Sequence, residues 1–217
     1  MPGETLIIDW GMLGAVHVFC AVLAWSRYRF IRFADNERAS TTFELLAECF
    51  EVLGGVPQVV LADRMGCLKA GVVANVVVPT PDYVRFATHY GFRPDFCNGA
   101  DPRSKGMVEN LVGYAKADLM VPQQPFTDLW AGNDAAEVWC GEVNATVHSE
   151  ICAVPLDRLA GGRELLRPLP SLRPEIGVKV VSRKVDKLSC IRFGSARYSV
   201  PCRLVGQQSP SPPPPRR

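Results

Sequence analysis

GETLIIDWG, residues 3–11, contains a short apolar run rich in β-branched side chains, Glu4 to Trp10, with an aspartate inside it. Such a run reads as a strand with little access to water. An ionised carboxylate in or just beyond a buried strand costs on the order of several kcal/mol unless it is paired or holds a cation. Asp9 therefore calls for something positive nearby. A second acid lies downstream, where Gln58 to Ala62 is an apolar run suited to a strand buried on both faces and Asp63 closes it. A third acid, Glu109, sits in the helix-like stretch KGMVEN, residues 105–110.

Working outward from Asp9, Ala15 to Trp25 is a longer apolar run, and Tyr28 to Phe33 alternates aromatic or aliphatic residues with arginine. That alternation predicts a strand with one exposed face. Phe43, Leu46, Ala47, Phe50 and Leu53 recur at helical spacing. They predict an amphipathic helix, opened by a capping box from Thr41 to Glu44 and stopped at Gly54-Gly55 and Pro57. Further on, the pattern predicts a strand within Gly71 to Val78, a helix over Tyr83 to Tyr90 ending at Gly91, and a short strand over Phe92 to Phe96. A last helix spans Lys105 to Leu119, with Ser104 as its cap and Val108, Leu111, Val112 and Ala115 as its apolar face. Strands and helices in this order imply an α/β fold, a mixed sheet with helices packed on it.

The C-terminal third differs in character. Pro155 to Pro174 carries four prolines, Gly161-Gly162 and several arginines, the composition of a strap. Val178 to Val181, Leu188 to Phe193 and Arg197 to Val200 are short strand candidates around a Gly194-Ser195 turn, enough for a small all-β, barrel-like domain. The expected organisation is a catalytic-type core over 1–125, a helical and proline-rich connector over 126–175, a small basic β-domain over 176–206, and a disordered Pro/Arg tail over 207–217.

With 47% apolar and 21% charged residues in 217, the chain has globular rather than disordered chemistry. No run approaches the roughly 18 apolar residues of a membrane span, and Met-Pro-Gly-Glu is no secretory signal, so the expectation is a soluble intracellular protein. The net charge of +2 conceals a division. Residues 1–156 hold 11 basic and 18 acidic side chains, a balance of −7, whereas residues 157–217 hold 13 and 4, a balance of +9. Eight scattered cysteines form no C-x-x-C pair, and the three histidines lie at no zinc-finger spacing, which predicts buried free thiols. Acids without histidine or thiolate neighbours favour Mg²⁺ or Mn²⁺ over zinc. Two such ions, about 4 Å apart, stabilise the attacking and leaving oxygens of an in-line phosphoryl transfer.

GETLIIDWG (3–11), FCAVLAWSRYRFIRF (19–33), FEVLGGVPQVVLAD (50–63) and ATHYGFRPDFCNGADPRSKGMVEN (87–110) together resemble the catalytic core of IstA-type insertion-sequence transposases. These belong to the retroviral-integrase-like superfamily. The resemblance covers Glu4 to Leu119 and continues more loosely through Asn144, His148 and Pro155. It implies an RNase H-like five-stranded mixed sheet with an Asp-Asp-Glu triad of metal ligands and catalytic groups: Asp9, Asp63 and Glu109. It also implies two Mg²⁺ or Mn²⁺ ions, cleavage of DNA at an element's end, and attack of the freed 3′-hydroxyl on target DNA. Implied partners are DNA, an ATPase helper protein and further copies of the chain on DNA, in the bacterial cytoplasm.

Lys105, Glu109, Val112 and Lys116 share one helical stripe, so two ammonium groups flank the proposed ligand. The superfamily's DNA-contacting basic residue, seven positions after the glutamate, matches Lys116. Lys105, Lys116 and Arg103 are the DNA-binding candidates. Trp10 reads as a packing aromatic, Gly11 as a turn glycine and His148 as a partly buried, hydrogen-bonded histidine. Two departures stand out. Arg64 takes the place of the asparagine that usually follows the second aspartate, and no helix-turn-helix pattern precedes Asp9, which predicts an N-terminally truncated chain. The alternatives to an active DNA strand-transferase core are a catalytically inactive remnant that binds DNA non-specifically and a stand-alone RNase H-like nuclease.

Overall fold

The computed structural model describes residues 3, 5–13, 16–63, 65–97, 111–120, 126, 128–174, 182–193 and 196–210. Its first compact unit is Met1–Ile176. Strands β1 (Thr5–Leu13), β2 (Val16–Leu23) and β3 (Arg29–Ala34) form an antiparallel meander. Helix α1 (Ala39–Leu53) leads to β4 (Val59–Ala62), parallel to β1, and after a hairpin α2 (Pro81–Tyr90) leads to β7 (Arg93–Phe96), parallel to β4. The sheet order is β3-β2-β1-β4-β7, the five-stranded mixed sheet expected.

The hairpin between β4 and α2 is a correction. The single strand expected over Gly71 to Val78 is two, β5 (Lys69–Val73) and β6 (Val76–Pro79), because Ala74 and Asn75 both take positive φ, 48° and 65°. Two left-handed residues in succession make the tight turn whose twist matches an antiparallel pair.

Helix α1 buries Phe43, Leu46, Ala47, Phe50 and Leu53, as its periodicity predicts, and ends at Gly54 in the left-handed region (φ 76°). Its start differs from expectation. Arg38 is the N-cap, and the Thr41 hydroxyl donates to Asn36 Oδ1 from inside the helix, so there is no Thr41–Glu44 capping box. Helix α2 begins at Thr80, whose hydroxyl accepts from the Tyr83 amide (3.2 Å), and closes at Gly91 (φ 77°).

β3 also departs from its pattern. Arg32 is only 7% exposed, because α1 and a later helix, α4 (Leu129–Ala145), cover both faces of the strand. Its guanidinium lies over the Phe30 ring and donates to Glu48 (2.6 Å) and Glu137 (3.3 Å). A buried guanidinium is tolerated here because both carboxylates satisfy it.

Residues 111–115 form the described part of α3, which continues as a π-helical turn, Lys116–Met120. Leu111, Ala115 and Leu119 pack on β1, β2 and β3 together with α4 (Leu129–Ala145), which buries Ala136, Trp139, Cys140 and Val143. Along the outer edge of β3, Asn133 accepts from the Phe33 amide (2.7 Å) and donates to the Phe33 carbonyl (3.1 Å). Asn144 does the same for Arg29 (2.9 and 2.8 Å). The edge strand's free backbone groups are thereby satisfied by α4 rather than left to recruit another strand.

Helix α5 (Pro155–Gly162) and the strap after it bury Leu159 and Leu166 against the sheet's other core. The Arg167 amide donates to the Val56 carbonyl (2.8 Å), and Arg173 pairs with Glu51.

The second unit, Gly177–Arg217, contains two ladders: β8 (Ser182–Lys184) with β11 (Gln208–Pro210), and β9 (Cys190–Phe193) with β10 (Ala196–Ser199). Val185 and Ile191 are buried, while Lys184, Lys187, Arg197 and Arg203 are exposed. Strand pairing extends past the expected boundary at 206, to Pro210. The strand expected over Val178 to Val181, the Gly194-Ser195 turn and residues 211–217 lie outside the described residues.

All eight cysteines are free thiols. Cys20, Cys49, Cys97 and Cys140 are buried as expected, whereas Cys152 and Cys202 are exposed. Among the described residues no helix is long and apolar enough to cross a membrane.

Candidate active site

The parallel pairing of β1 and β4 sets Thr5 beside Val59 and runs in step to Ile8 beside Ala62. The next residue on each strand is an aspartate, Asp9 and Asp63, and the Asp63 amide donates to the Ile8 carbonyl (3.2 Å). Neighbouring strands lie about 4.8 Å apart, so two carboxylates leave the sheet edge side by side. Strand alternation puts Asp9 on the side of Ile7 and Gly11, and Asp63 on the side of Leu61, which is the face covered by α3 and α4. Both aspartates are half-buried.

They open into a cleft of about 280 Å³ that Trp10, Glu37, Met65, Gly66 and Cys67 also line. Trp10 points to the opposite face, edge-on to Phe19 (centroids 5.4 Å apart), with its indole N–H donating to Thr42 Oγ1 (3.2 Å). Glu37 is held at the rim by His17 Nδ1 (2.9 Å). Partial burial raises the Cys67 pKa above its ordinary value. The cleft thus offers hard carboxylate oxygens, which suit Mg²⁺ or Mn²⁺. Among the described residues, no three His, Cys, Asp or Glu side chains are grouped to hold a metal by themselves.

Gly11 is not the turn glycine expected. It lies inside β1 opposite Val18, and a Cβ there would meet Val112 of α3 at 2.6 Å. Its missing side chain lets α3 settle on β1 two residues from Asp9. Of the remaining candidates, Glu109, Lys105, Arg103, Ser104 and Arg64 lie outside the described residues. Lys116 is placed on α3 at the start of its π-helical turn, and its side chain is likewise outside. Pattern reading missed Glu37 and Cys67 as cleft residues. Both sit in irregular segments where periodicity carries no signal, and only the fold brings Glu37 to His17, 20 positions away. His148 is half-buried, and its Nδ1 accepts the Glu150 amide (3.3 Å), as expected of a structural histidine.

No family model matches this chain. A transposase of the insertion sequence element IS21 from Pseudomonas aeruginosa is 31% identical to it over 218 residues, covering 95% of this chain and 55% of that protein. An IS21-like transposase from Bacteroides fragilis is 31% identical over 192 residues, 86% of this chain and 36% of that protein. Over nearly its whole length this chain is similar to IS21-like transposases. A transposase of element IS232 from Bacillus thuringiensis is 26% identical over 220 residues, 95% of this chain and 51% of that protein. The chain spans roughly a third to a little over half the length of these relatives.

Among solved structures, the catalytic core domain of BIV integrase superposes with a TM-score of 0.59 at 13% identity, over 75% of this chain and 97% of that one. A chain of the simian T-cell lymphotropic virus intasome in complex with PP2A regulatory subunit B56 gamma superposes with a TM-score of 0.61 at 15% identity, over 96% of this chain and 80% of that one. At such identities the likeness establishes the fold, that of the integrase core.

Proposed function

We propose that this transposase chain carries a metal-dependent DNA cleavage and strand-transfer core, with Asp9, Asp63 and Glu109 as its ligand triad. The observation that supports this most is the parallel register of β1 and β4, which sets Asp9, inside β1, beside Asp63, just past β4, in one cleft on the face where α3 packs. Asp9 and Asp63 fit divalent cations by donor chemistry, and Glu109, two residues before the described part of α3, is proposed as the third ligand. When bound, two Mg²⁺ or Mn²⁺ ions supply Lewis acidity at the attacking and leaving oxygens of a phosphodiester.

The chain's own groups position the substrate. Lys105, Lys116 and Arg103 are proposed to hold backbone phosphates beside the triad. Trp10 and Glu37 line the cleft, and His17 holds Glu37 there. The exposed cations of the second unit, including Lys184, Lys187, Arg197 and Arg203, suit non-specific attraction to DNA. Assembly of several copies on DNA and recruitment of an ATPase helper, in the bacterial cytoplasm, complete the proposal.

The test is cleavage and joining of oligonucleotides that carry the element's ends, with Mg²⁺ or Mn²⁺ and with EDTA. Asp9→Asn and Asp63→Asn are each expected to lower the rate by roughly a thousandfold, the several kcal/mol that a metal clamp contributes, with an unchanged melting temperature. Wild-type rates in either variant would remove that residue from the triad. A wild-type chain that binds DNA but neither cleaves nor joins it would leave the inactive-remnant reading standing.

A further inference from the structure

On the same face of the sheet as Asp9 lies a second recess, of about 160 Å³, lined by Arg27, Arg29, Leu111, Tyr114, His148 and Glu150 among others. Its charges are unequally matched. Arg27 donates to both oxygens of Glu150 (3.1 and 2.8 Å) and is neutralised. Arg29 has no carboxylate within 4 Å among the described residues, and its guanidinium lies over the Tyr114 ring, 5.3 Å from the centroid. Burial lowers its pKa, as expected of a cation drawn out of water without a counter-charge.

The group is also held in place, since Asn144 grips both the amide and the carbonyl of Arg29. His148 completes the recess. Burial, and then the Arg29 charge, depress its pKa, so the ring is neutral near pH 7. Its Nδ1 accepts the Glu150 amide, which leaves the proton on Nε2 as a donor. Among the described residues, the recess therefore combines one uncompensated positive charge with the neutral His148 donor, both in place before any ligand arrives.

Acids limit what it takes. A neighbouring recess of about 470 Å³ shares Arg29, Tyr114 and His148 but adds Asp118 and Glu142. Asp118 is engaged by the Trp139 indole N–H (2.8 Å). A doubly charged anion is disfavoured beside the two acids; a singly charged one matches the single free guanidinium.

We propose that Arg29, backed by Tyr114 and His148, forms a subsite for one singly charged phosphodiester, supplied by the DNA backbone. Asp9 pairs with Cys20, Cys20 with Ile31, and Arg29 is two residues further along β3. Two strand spacings across and two residues along place the backbones of Asp9 and Arg29 about 12 Å apart, three to four base-pair steps of about 3.4 Å. One duplex reaches both. This rests on the reading of DNA as substrate, and its test separates the two.

The full chain is titrated with dimethyl phosphate and, separately, with inorganic phosphate, following the ring resonances of His148 by NMR. DNA affinity is measured across salt concentrations. Dimethyl phosphate is expected to shift His148 in the wild type and not in Arg29→Gln. The variant's DNA affinity should fall by about tenfold, with a salt slope shallower by about one. Arg29→Lys, which keeps the charge but loses the planar fork, serves if Arg29→Gln fails to fold. It is expected to keep the slope while losing part of the affinity. Wild-type affinity and slope in Arg29→Gln overturn the proposal, as does a response to inorganic phosphate alone. A diester response without any DNA affinity keeps the subsite, overturns DNA as its source and defeats the preceding functional reading instead.

Discussion

Under α1 and α2 the sheet meets rings: Phe19, Phe30, Phe43, Phe50, Tyr83, Phe86, Tyr90, Phe92 and Phe96. Under α3 and α4 it meets mostly aliphatic and small side chains, among them Ile7, Val18, Cys20, Ile31, Ala115, Ala136 and Cys140. The rings pair repeatedly, Phe43 stacking on Phe86 (centroids 4.8 Å apart) and Phe50 meeting Tyr90 and Phe92 edge-on (5.1 and 5.6 Å). Each such pair contributes about 0.5–1.5 kcal/mol beyond the area it buries. Among the described residues the other face has fewer such pairs, Phe33 with Phe126 and Tyr114 with Trp139 (5.6 and 5.2 Å), and allows closer approach. Helix α3 reaches β1 beside Asp9 only because Gly11 has no side chain, and Cys20, opposite Asp9, lies fully buried on that face. One face is built for stability, and the other for bringing a helix down onto the carboxylates.

The contrast is most directly broken on the aromatic side. Phe50→Ala is expected to cost about 3–5 kcal/mol in urea unfolding, against about 0.5–1.5 kcal/mol for Ile31→Val on the other face. Equal costs would erase the distinction. At the helix-bearing edge, Asn144→Ala leaves the Arg29 amide and carbonyl without partners. It should cost about 1–3 kcal/mol in the same assay and increase hydrogen exchange at the Arg29 amide.

Gly11→Ala tests the approach itself. The added methyl should cost about 1–3 kcal/mol by overpacking and displace α3 from the cleft. Val112→Ala in the same chain should restore most of the stability, because the clash is with the Val112 side chain. No recovery would mean that something other than the contact holds α3 in place.

The smallest effect sharpens the view of the strap beneath the aromatic face. Hydrogen bonding from Arg173 lowers the Glu51 pKa below the ordinary carboxylate value. The folded state therefore favours the ionised carboxylate, so this contribution is complete above the unfolded pKa of about 4.3. It is lost as pH falls through the lower folded value. Both side chains are about half exposed, so the pair is worth a few tenths of a kcal/mol. Arg173→Ala should differ from wild type by that amount at pH 6 and not at all at pH 2.

What could be read from the sequence followed from short-range periodicity. The apolar stripe of α1, the glycine stops at Gly54 and Gly91, and the acids in or directly after two apolar strands all lie within a few residues of what specifies them. Readings that needed a distant partner went astray. Arg32 looked like an outward-facing strand residue because alternation cannot show that two helices will cover both faces. Gly11 looked like a turn because a glycine's local meaning is a permissive backbone, whereas its use here is the space it leaves for Val112. The hairpin at Ala74-Asn75 was missed because neither residue is a glycine.

The sequence by itself determined which segments form the sheet, that the first two acids of the proposed triad sit in or directly after apolar strands, and that positive charge collects in the last 61 residues. Local propensity and the cost of burying an acid suffice for those. Only the tertiary structure decided that Asp9 and Asp63 stand side by side on one face, that Glu37 joins their cleft, and that Arg27 is neutralised while Arg29 is not. Strand register and ion pairing across 123 positions, as between Arg27 and Glu150, depend on how elements pack against one another, and packing leaves no mark on residues read one window at a time.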